Sequence, residues 1–292
     1  MKNILVLTDF SDRARSAAEY AVQVAAHVKA NVLLCHALEL TEQLTYPLAD
    51  HLILKNQAMK RLKEVGIHLN ELISKNGDPD LFRPTITYFN DLDMLTDVAD
   101  KVILNYKIDL VVIGSHKTSS MARFFSGSHT NDILDDLKCP ILLVPENVTY
   151  RPVQNIAYAT DLTFNNSKVI GYLAKIASLF GAKIFIDHIS PLDLPLTILE
   201  KEVEYSVKEQ MDKINVDLTY RTIKGVNITK GLLEISDPEK VDILTLVHKR
   251  YDFFEGLFHS SVSKQLAHTT KVPLLVMPYS FSLSEGDLMA SV

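Results

Sequence analysis

The sequence predicts an α/β protein built on open parallel sheets, and it predicts that unit twice. Short apolar runs alternate with amphipathic stretches of helical period, and the runs that open and close the first half recur in the second. Strands separated by helices of this length pair in parallel through right-handed crossovers. The chain has 292 residues. At roughly 150 residues per domain, two domains fit, each able to bury a core of its own.

Residues 2–7 form a short leucine and β-branched run, a first strand that stops at Thr8-Asp9-Phe10-Ser11, a turn able to cap the helix to come. Across residues 12–29, Ala14, Ala17, Ala18, Ala21, Val22, Ala25 and Val28 recur at spacings of three and four, the pattern of an amphipathic helix. Residues 31–37 return to strand. A looser segment with Pro47 follows, then a long helix from about residue 52 to 75. Residues 83–88 are strand-like, 92–105 helical, and 109–113 a strand. A helix at 131–137 and a strand at 141–144 complete the unit.

The second half then starts again. Asn155-Ile156-Ala157-Tyr158-Ala159-Thr160-Asp161 mirrors Asn3-Ile4-Leu5-Val6-Leu7-Thr8-Asp9, with the aspartates 152 positions apart (161 − 9). Cys139-Pro140-Ile141-Leu142-Leu143-Val144-Pro145 is matched by Val272-Pro273-Leu274-Leu275-Val276-Met277-Pro278, with the first prolines 133 positions apart (273 − 140). The second copy is therefore about nineteen residues shorter, mostly after its second strand at 183–188. Domains at 1–147 and 152–280 are expected, with residues 281–292 as a loose tail.

Composition narrows the classes. The chain is 47% hydrophobic and 23% charged, with mean hydropathy +0.08. No apolar run approaches the roughly twenty residues that span a bilayer. The start, MKNILVLTDF, meets Asp9 early and reads as a strand, not a signal peptide. Cys35 and Cys139 lie in apolar strand-like runs, which fits buried thiols in a reducing compartment, and the cytoplasm is the expectation. A net charge of −6 argues against general nucleic-acid binding.

The chemistry concentrates in residues 113–130, IGSHKTSSMARFFSGSHT, where a strand gives way to a polar glycine- and serine-containing loop that leads into a helix. Gly114 is expected to let the backbone turn where the strand stops. Gly127-Ser128 stands at the start of the next helix, whose free N–H groups can hold an anion. Lys117 and Arg123 lie in the loop, and no acid follows until Asp132. That charge pattern suits a phosphate.

With the TDFS turn, the CPILLVP closing strand, their echoes in the second half and the Gly114/Gly127-Ser128 spacing, the sequence resembles the universal stress protein family in a tandem two-domain form. The family's nucleotide pattern is glycine, two residues, glycine, nine residues, glycine and serine or threonine. Gly114, Gly127 and Ser128 match it, and Lys117 stands where the second glycine is expected. The resemblance implies two flavodoxin-like, adenine nucleotide alpha hydrolase-like domains, each an open five-stranded parallel sheet in the order 3-2-1-4-5 with helices on both faces. It also implies a ligand crevice beyond the carboxyl ends of the first and fourth strands.

Carried onto this sequence, the resemblance implies an adenine nucleotide, ATP or AMP, with Mg²⁺ as a companion ion. Asp9 would stand at the base or ribose end, the backbone near Ala37 at the adenine edge and the Gly127-Ser128-His129-Thr130 turn at the phosphates, with Thr8, Gly114, His116 and Lys117 also counted among the binding residues. Asp9 cannot simply lie against a phosphate, since like charges about 4 Å apart at an effective dielectric near 20 repel by roughly 4 kcal/mol. It belongs at the base or ribose end, as the resemblance favours, or shares a divalent cation with the phosphates. Its plain structural role is to cap the first helix, and the two roles are compatible. Lysine at 117 either clashes or supplies the phosphates with a mobile charge.

In the second half the corresponding positions are Val247, Arg250, Ser260 and Ser261. With the glycines gone and Asp252 and Glu255 in the loop, that site is expected to be filled by its own side chains. Zinc at His116, His129, His248, His259 and His268 lacks ligand spacing. Ser126 and Ser128 lack the surroundings of a nucleophile. No catalytic residue and no metal ligand is assigned. The rivals to a nucleotide-binding stress regulator are an interaction module, docking an unknown protein through Phe253, Phe254, Leu257 and Phe258, and a slow ATP hydrolase. The family also implies pairing through residues 141–144 and 274–276 into an intramolecular pseudo-dimer, with homo-oligomers open.

Overall fold

The structure is a computed structural model that describes residues 1–38, 48–75, 81–115, 139–146, 148–160, 167–190, 201–202, 204–205, 209, 215–224, 228–247 and 270–278. The chain divides into two compact units, Met1–Tyr150 and Arg151–Val292. The helix expected at 131–137 and the tail at 281–292 lie outside the described residues.

The first unit runs β1 (Asn3–Leu7), α1 (Asp12–Val28), β2 (Asn31–Ala37), α2 (Leu48–Lys75), β3 (Ile86–Asp91), α3 (Leu95–Tyr106), β4 (Leu110–Ser115) and β5 (Ile141–Pro145). Its strands pair in parallel in the order β3-β2-β1-β4-β5. Ile4, Leu5, Val6 and Leu7 of β1 are all buried, as a strand covered on both faces requires. Right-handed crossovers put α1 and α2, which pack together, on one face and α3 on the other. The α1 stripe of Ala14, Ala17, Ala18, Ala21 and Ala25 is fully or nearly buried, and its small side chains bring that helix close to the sheet.

Helix α1 begins as its sequence dictates. Ser11 is the N-cap, in extended conformation, and its hydroxyl accepts the Ala14 N–H at 3.3 Å. The helix ends at Val28, with Lys29 left-handed at φ 54°, and α3 ends the same way on Lys107 at φ 50°. The third strand and helix lie about three residues later than the sequence pattern places them. Pro84 has no N–H to give a ladder, and pairing with β2 carries β3 on to Asp91, opposite Ala37.

The second unit runs β6 (Asn155–Thr160), α4 (Ser167–Phe180), β7 (Lys183–Ser190), β8 (Leu218–Lys224), α5 (Ile228–Ile235), β9 (Ile243–Val247) and β10 (Leu274–Met277). Its order, β8-β7-β6-β9-β10, is that of the first unit. The repeat extends to single hydrogen bonds. Asp109 accepts the backbone N–H groups of Lys2 and Asn3, and Asp242 accepts those of Gln154 and Asn155 at 2.8 and 2.9 Å. The same carboxylate thus ties the first strand to the start of the fourth in both units. Asp242 also holds Arg151 Nε at 2.6 Å.

Candidate functional site

Beyond the carboxyl ends of β1 and β4, where chain direction reverses across the sheet, a crevice of about 240 Å³ opens in the first unit. Thr8 and Asp9 enter it from the end of β1, His36 and Ala37 from β2, Gly114 from β4, and Arg13 from the first turn of α1. The structure thus brings together four residues that the sequence assigned to a site: Thr8, Asp9, Ala37 and Gly114. The other six, His116, Lys117, Gly127, Ser128, His129 and Thr130, lie outside the described residues.

The turn after β1 is held at every step. The Thr8 N–H donates to the Cys35 carbonyl at 2.9 Å, and the Phe10 N–H donates to Thr8 Oγ1 at 3.0 Å. That second bond fixes Phe10 in the left-handed region at φ 64°, uncommon for a bulky residue. His36 Nδ1 lies 2.7 Å from the Thr8 carbonyl. A carbonyl only accepts, so Nδ1 carries the proton and Nε2 is the acceptor of the neutral ring. Burial lowers the His36 pKa below its ordinary 6.5, the Arg61 charge adds to this, and the Thr8 bond and Asp9 oppose it. Arg61 sits over the Phe10 ring at 4.0 Å, and the His36 ring lies 4.4 Å from the Phe10 centroid.

Asp9 lies half-exposed in this turn. Its Oδ1 accepts the Ser11 N–H at 3.0 Å and the Ser11 hydroxyl at 2.5 Å, and its Oδ2 accepts Arg13 Nη2 at 2.5 Å. Burial acts to raise its pKa, but the Ser11 and Arg13 hydrogen bonds and the Arg13 charge outweigh it and hold the carboxyl below the usual range. Asp9 therefore braces the residue that caps α1 and is not the cap itself. Arg13, outside the family pattern, neutralises the carboxylate that was expected to repel a phosphate. The signal for it was the Asp-to-Arg spacing of four at a helix start.

Gly114 has a role other than the expected turn. It lies within β4 and has no left-handed φ. A Cβ there would stand 2.5 Å from the Arg13 carbonyl oxygen and 3.1 Å from the Ala14 nitrogen. The glycine is needed because the first turn of α1 lies directly on the end of β4.

Ala37 keeps the crevice open at the β2 side. The ladder between β1 and β2 ends at Leu7 and Cys35, and the Cys35 carbonyl faces β1. Two residues on, Ala37 presents its backbone to the same side, past the end of β1.

In the second unit the equivalents of Thr8, His36, Ala37 and Gly114 are Thr160, His188, Ile189 and Val247. His188 Nδ1 donates to the Thr160 carbonyl at 3.2 Å, so the histidine brace is duplicated. Two other crevice positions differ: Ile189 stands for Ala37, and its side chain comes within 2.8 Å of where a Cβ on Gly231 would be. Val247 puts a side chain where the first unit admits none. The loop residues Phe253, Phe254, Leu257 and Phe258, expected to fill this site or dock a partner, lie outside the described residues.

Among the described residues, no group of three or more histidine, cysteine or acidic side chains is placed to hold a metal ion, and the five loop histidines fall outside them. Cys35 and Cys139 are free and buried. Burial, with the charges of Asp91 and Asp109 respectively, pushes both thiols up to about 12, which leaves no thiolate for chemistry near neutral pH. No helix among the described residues is long and apolar enough to cross a membrane.

Residues 1–145 match the model of the universal stress protein family. No curated protein matches the chain. Among solved structures, the chain is similar to a universal stress protein from Archaeoglobus fulgidus DSM 4304, at 15% identity and TM-score 0.66, over 94% of this chain and 96% of that one. It is also similar to a putative universal stress protein from Pseudomonas aeruginosa UCBPP-PA14, at 14% identity and TM-score 0.53, over 95% and 93%. A third similar structure, the cytoplasmic domain of a prokaryotic cation chloride cotransporter, has 9% identity and TM-score 0.56, over 94% of each chain. Identities this low speak for the fold, which all three share across both halves.

Proposed function

The chain belongs to the universal stress protein family through residues 1–145, and from that premise we infer that its first unit is a regulatory module that binds an adenine nucleotide, ATP or a relative. The observation that supports this best is the meeting of Thr8, Asp9, Ala37 and Gly114 around one crevice at the reversal point of the sheet. At about 240 Å³ the crevice falls below the roughly 300–1,000 Å³ of enclosed ligand pockets. The phosphates would extend past Gly114 to the segment containing Lys117 and Gly127-Ser128-His129-Thr130.

Asp9 is the acid of this crevice among its described lining residues, and its oxygens already serve Ser11 and Arg13. Mg²⁺ would therefore be held by the phosphates and water, and would supply charge neutralisation. One site per chain is expected, because Ile189 and Val247 occupy the matching place in the second unit. Binding would change the surface that this end of the sheet offers to a protein partner. The two buried free thiols fit a reducing cytoplasm.

Calorimetric titration of the chain with ATP, with and without Mg²⁺, beside Gly127→Val tests this. Micromolar affinity at one site per chain, lost in the variant, is the expected result. No heat at millimolar ATP would overturn it.

A further inference from the structure

We propose that the Arg13–Asp9 pair is a specificity gate that admits nucleotides and disfavours nucleosides, a role that rests on the adenine-nucleotide reading of this crevice. An ionised carboxylate offers about four acceptor positions. On Asp9, the N–H and hydroxyl of Ser11 take two and Arg13 Nη2 takes a third, at 2.5 Å. The ribose of an adenine nucleoside presents two adjacent hydroxyls. Binding both on Asp9 needs two positions, so one existing partner must leave.

The Ser11 bonds are fixed. They belong to the turn that starts α1, and the Ser11 hydroxyl also accepts the Ala14 N–H. Arg13 is the partner that can leave, because its long side chain holds Asp9 through one nitrogen only.

What happens to the displaced guanidinium sets the selectivity. It lines the same crevice as His36 and Gly114, and Asp9 is the acid among the described residues there. A nucleoside offers no replacement, so its ribose binds at the cost of a charge-assisted hydrogen bond. A nucleotide brings phosphate oxygens, which a guanidinium grips in a fork of two parallel bonds. The Arg13 backbone is pinned against Gly114, so the side chain swings within the crevice from a fixed origin. Arg13 is thus a positioning residue for Asp9 and a direct ligand for phosphate.

The test is titration of the full chain with ATP and, separately, with adenosine, for the wild type, Arg13→Gln and Arg13→Lys. The wild type is expected to prefer ATP by at least about ten-fold, the scale of one charge-assisted hydrogen bond. Arg13→Gln is expected to weaken ATP about ten-fold and to tighten adenosine several-fold, because Asp9 is released. Arg13→Lys, which keeps the charge without the fork, is expected to retain part of the preference. Loss of both ligands in parallel, or an adenosine affinity unmoved in Arg13→Gln, overturns the gate. Wild-type binding of neither ligand sinks the nucleotide reading itself and the gate with it, so the wild-type titrations tell the two failures apart.

Discussion

The place where a side chain on Gly114 would begin lies 2.5 Å from the carbonyl oxygen of Arg13, so the end of β4 and the first turn of α1 meet backbone to backbone. The neighbour is main chain and cannot swing aside. This contact sets both the position of Arg13 and the floor of the crevice.

Gly114→Ala is therefore expected to destabilise the first unit by about 1–3 kcal/mol, the usual penalty for overpacking a well-packed contact. The cause is space and not backbone conformation, since Gly114 has no left-handed φ. Urea unfolding checks it. A variant as stable as the wild type would show that α1 can shift off β4 at no cost.

The histidine brace predicts a pH dependence. His36 has its pKa lowered by burial, so the unfolded chain takes up this proton more readily than the folded one. Its contribution is complete above the ordinary 6.5 and is lost as pH falls through 6.5 toward the folded value. The groups facing it are Arg61, which deepens the shift, and Asp9 and the Thr8 carbonyl, which oppose it. His36→Asn keeps an N–H near the Nδ1 position and cannot titrate. Compared at about pH 7.5 and about pH 5.5, the wild type should lose more stability on acidification than this variant. Equal losses would contradict the shift.

The repeated carboxylates carry part of each unit's stability. Asp242 is buried and satisfies the N–H groups of Gln154 and Asn155 while pairing with Arg151. Asp242→Ala orphans both donors and is expected to cost about 2–4 kcal/mol. Asp109→Ala should cost less, because Asp109 is only partly buried. Denaturant unfolding of both variants is the measurement, and a loss below about 1 kcal/mol at Asp242 would mean that water replaces the carboxylate.

Much of this fold was legible because central strands buried on both faces leave continuous apolar runs such as residues 4–7, and helices leave the alanine stripe of α1. What the pattern hid depends on tertiary partners. Lys29 and Lys107 end their helices in the left-handed conformation that sequence analysis looks for in glycine. The start of β3 is set by its register on β2, and Asp109 and Asp242 look like ordinary loop acids until the first strands are laid beside them. Of the residues that line the crevice, Thr8, Asp9, Ala37 and Gly114 were named from the family pattern. Arg13 was not, since its place depends on the packing of α1 against the end of β4.

At the matching place in the second unit the side chains show an exchange of sizes, which is testable as a pair. The first unit has Ala37 on β2 and Val98 on α3, whereas the second has Ile189 on β7 and Gly231 on α5. Ile189 side-chain atoms lie 2.8–3.0 Å from a Cβ position on Gly231, so each residue presupposes the other. Gly231→Val alone should overpack and cost about 1–3 kcal/mol. Ile189→Ala alone should cost about 1–2 kcal/mol, less than a core truncation because Ile189 is only partly buried. The double variant rebuilds the first unit's pair and should cost less than the sum by at least about 1 kcal/mol, a coupling that residues in contact show. Additive losses in urea unfolding would mean that the two positions do not share one space.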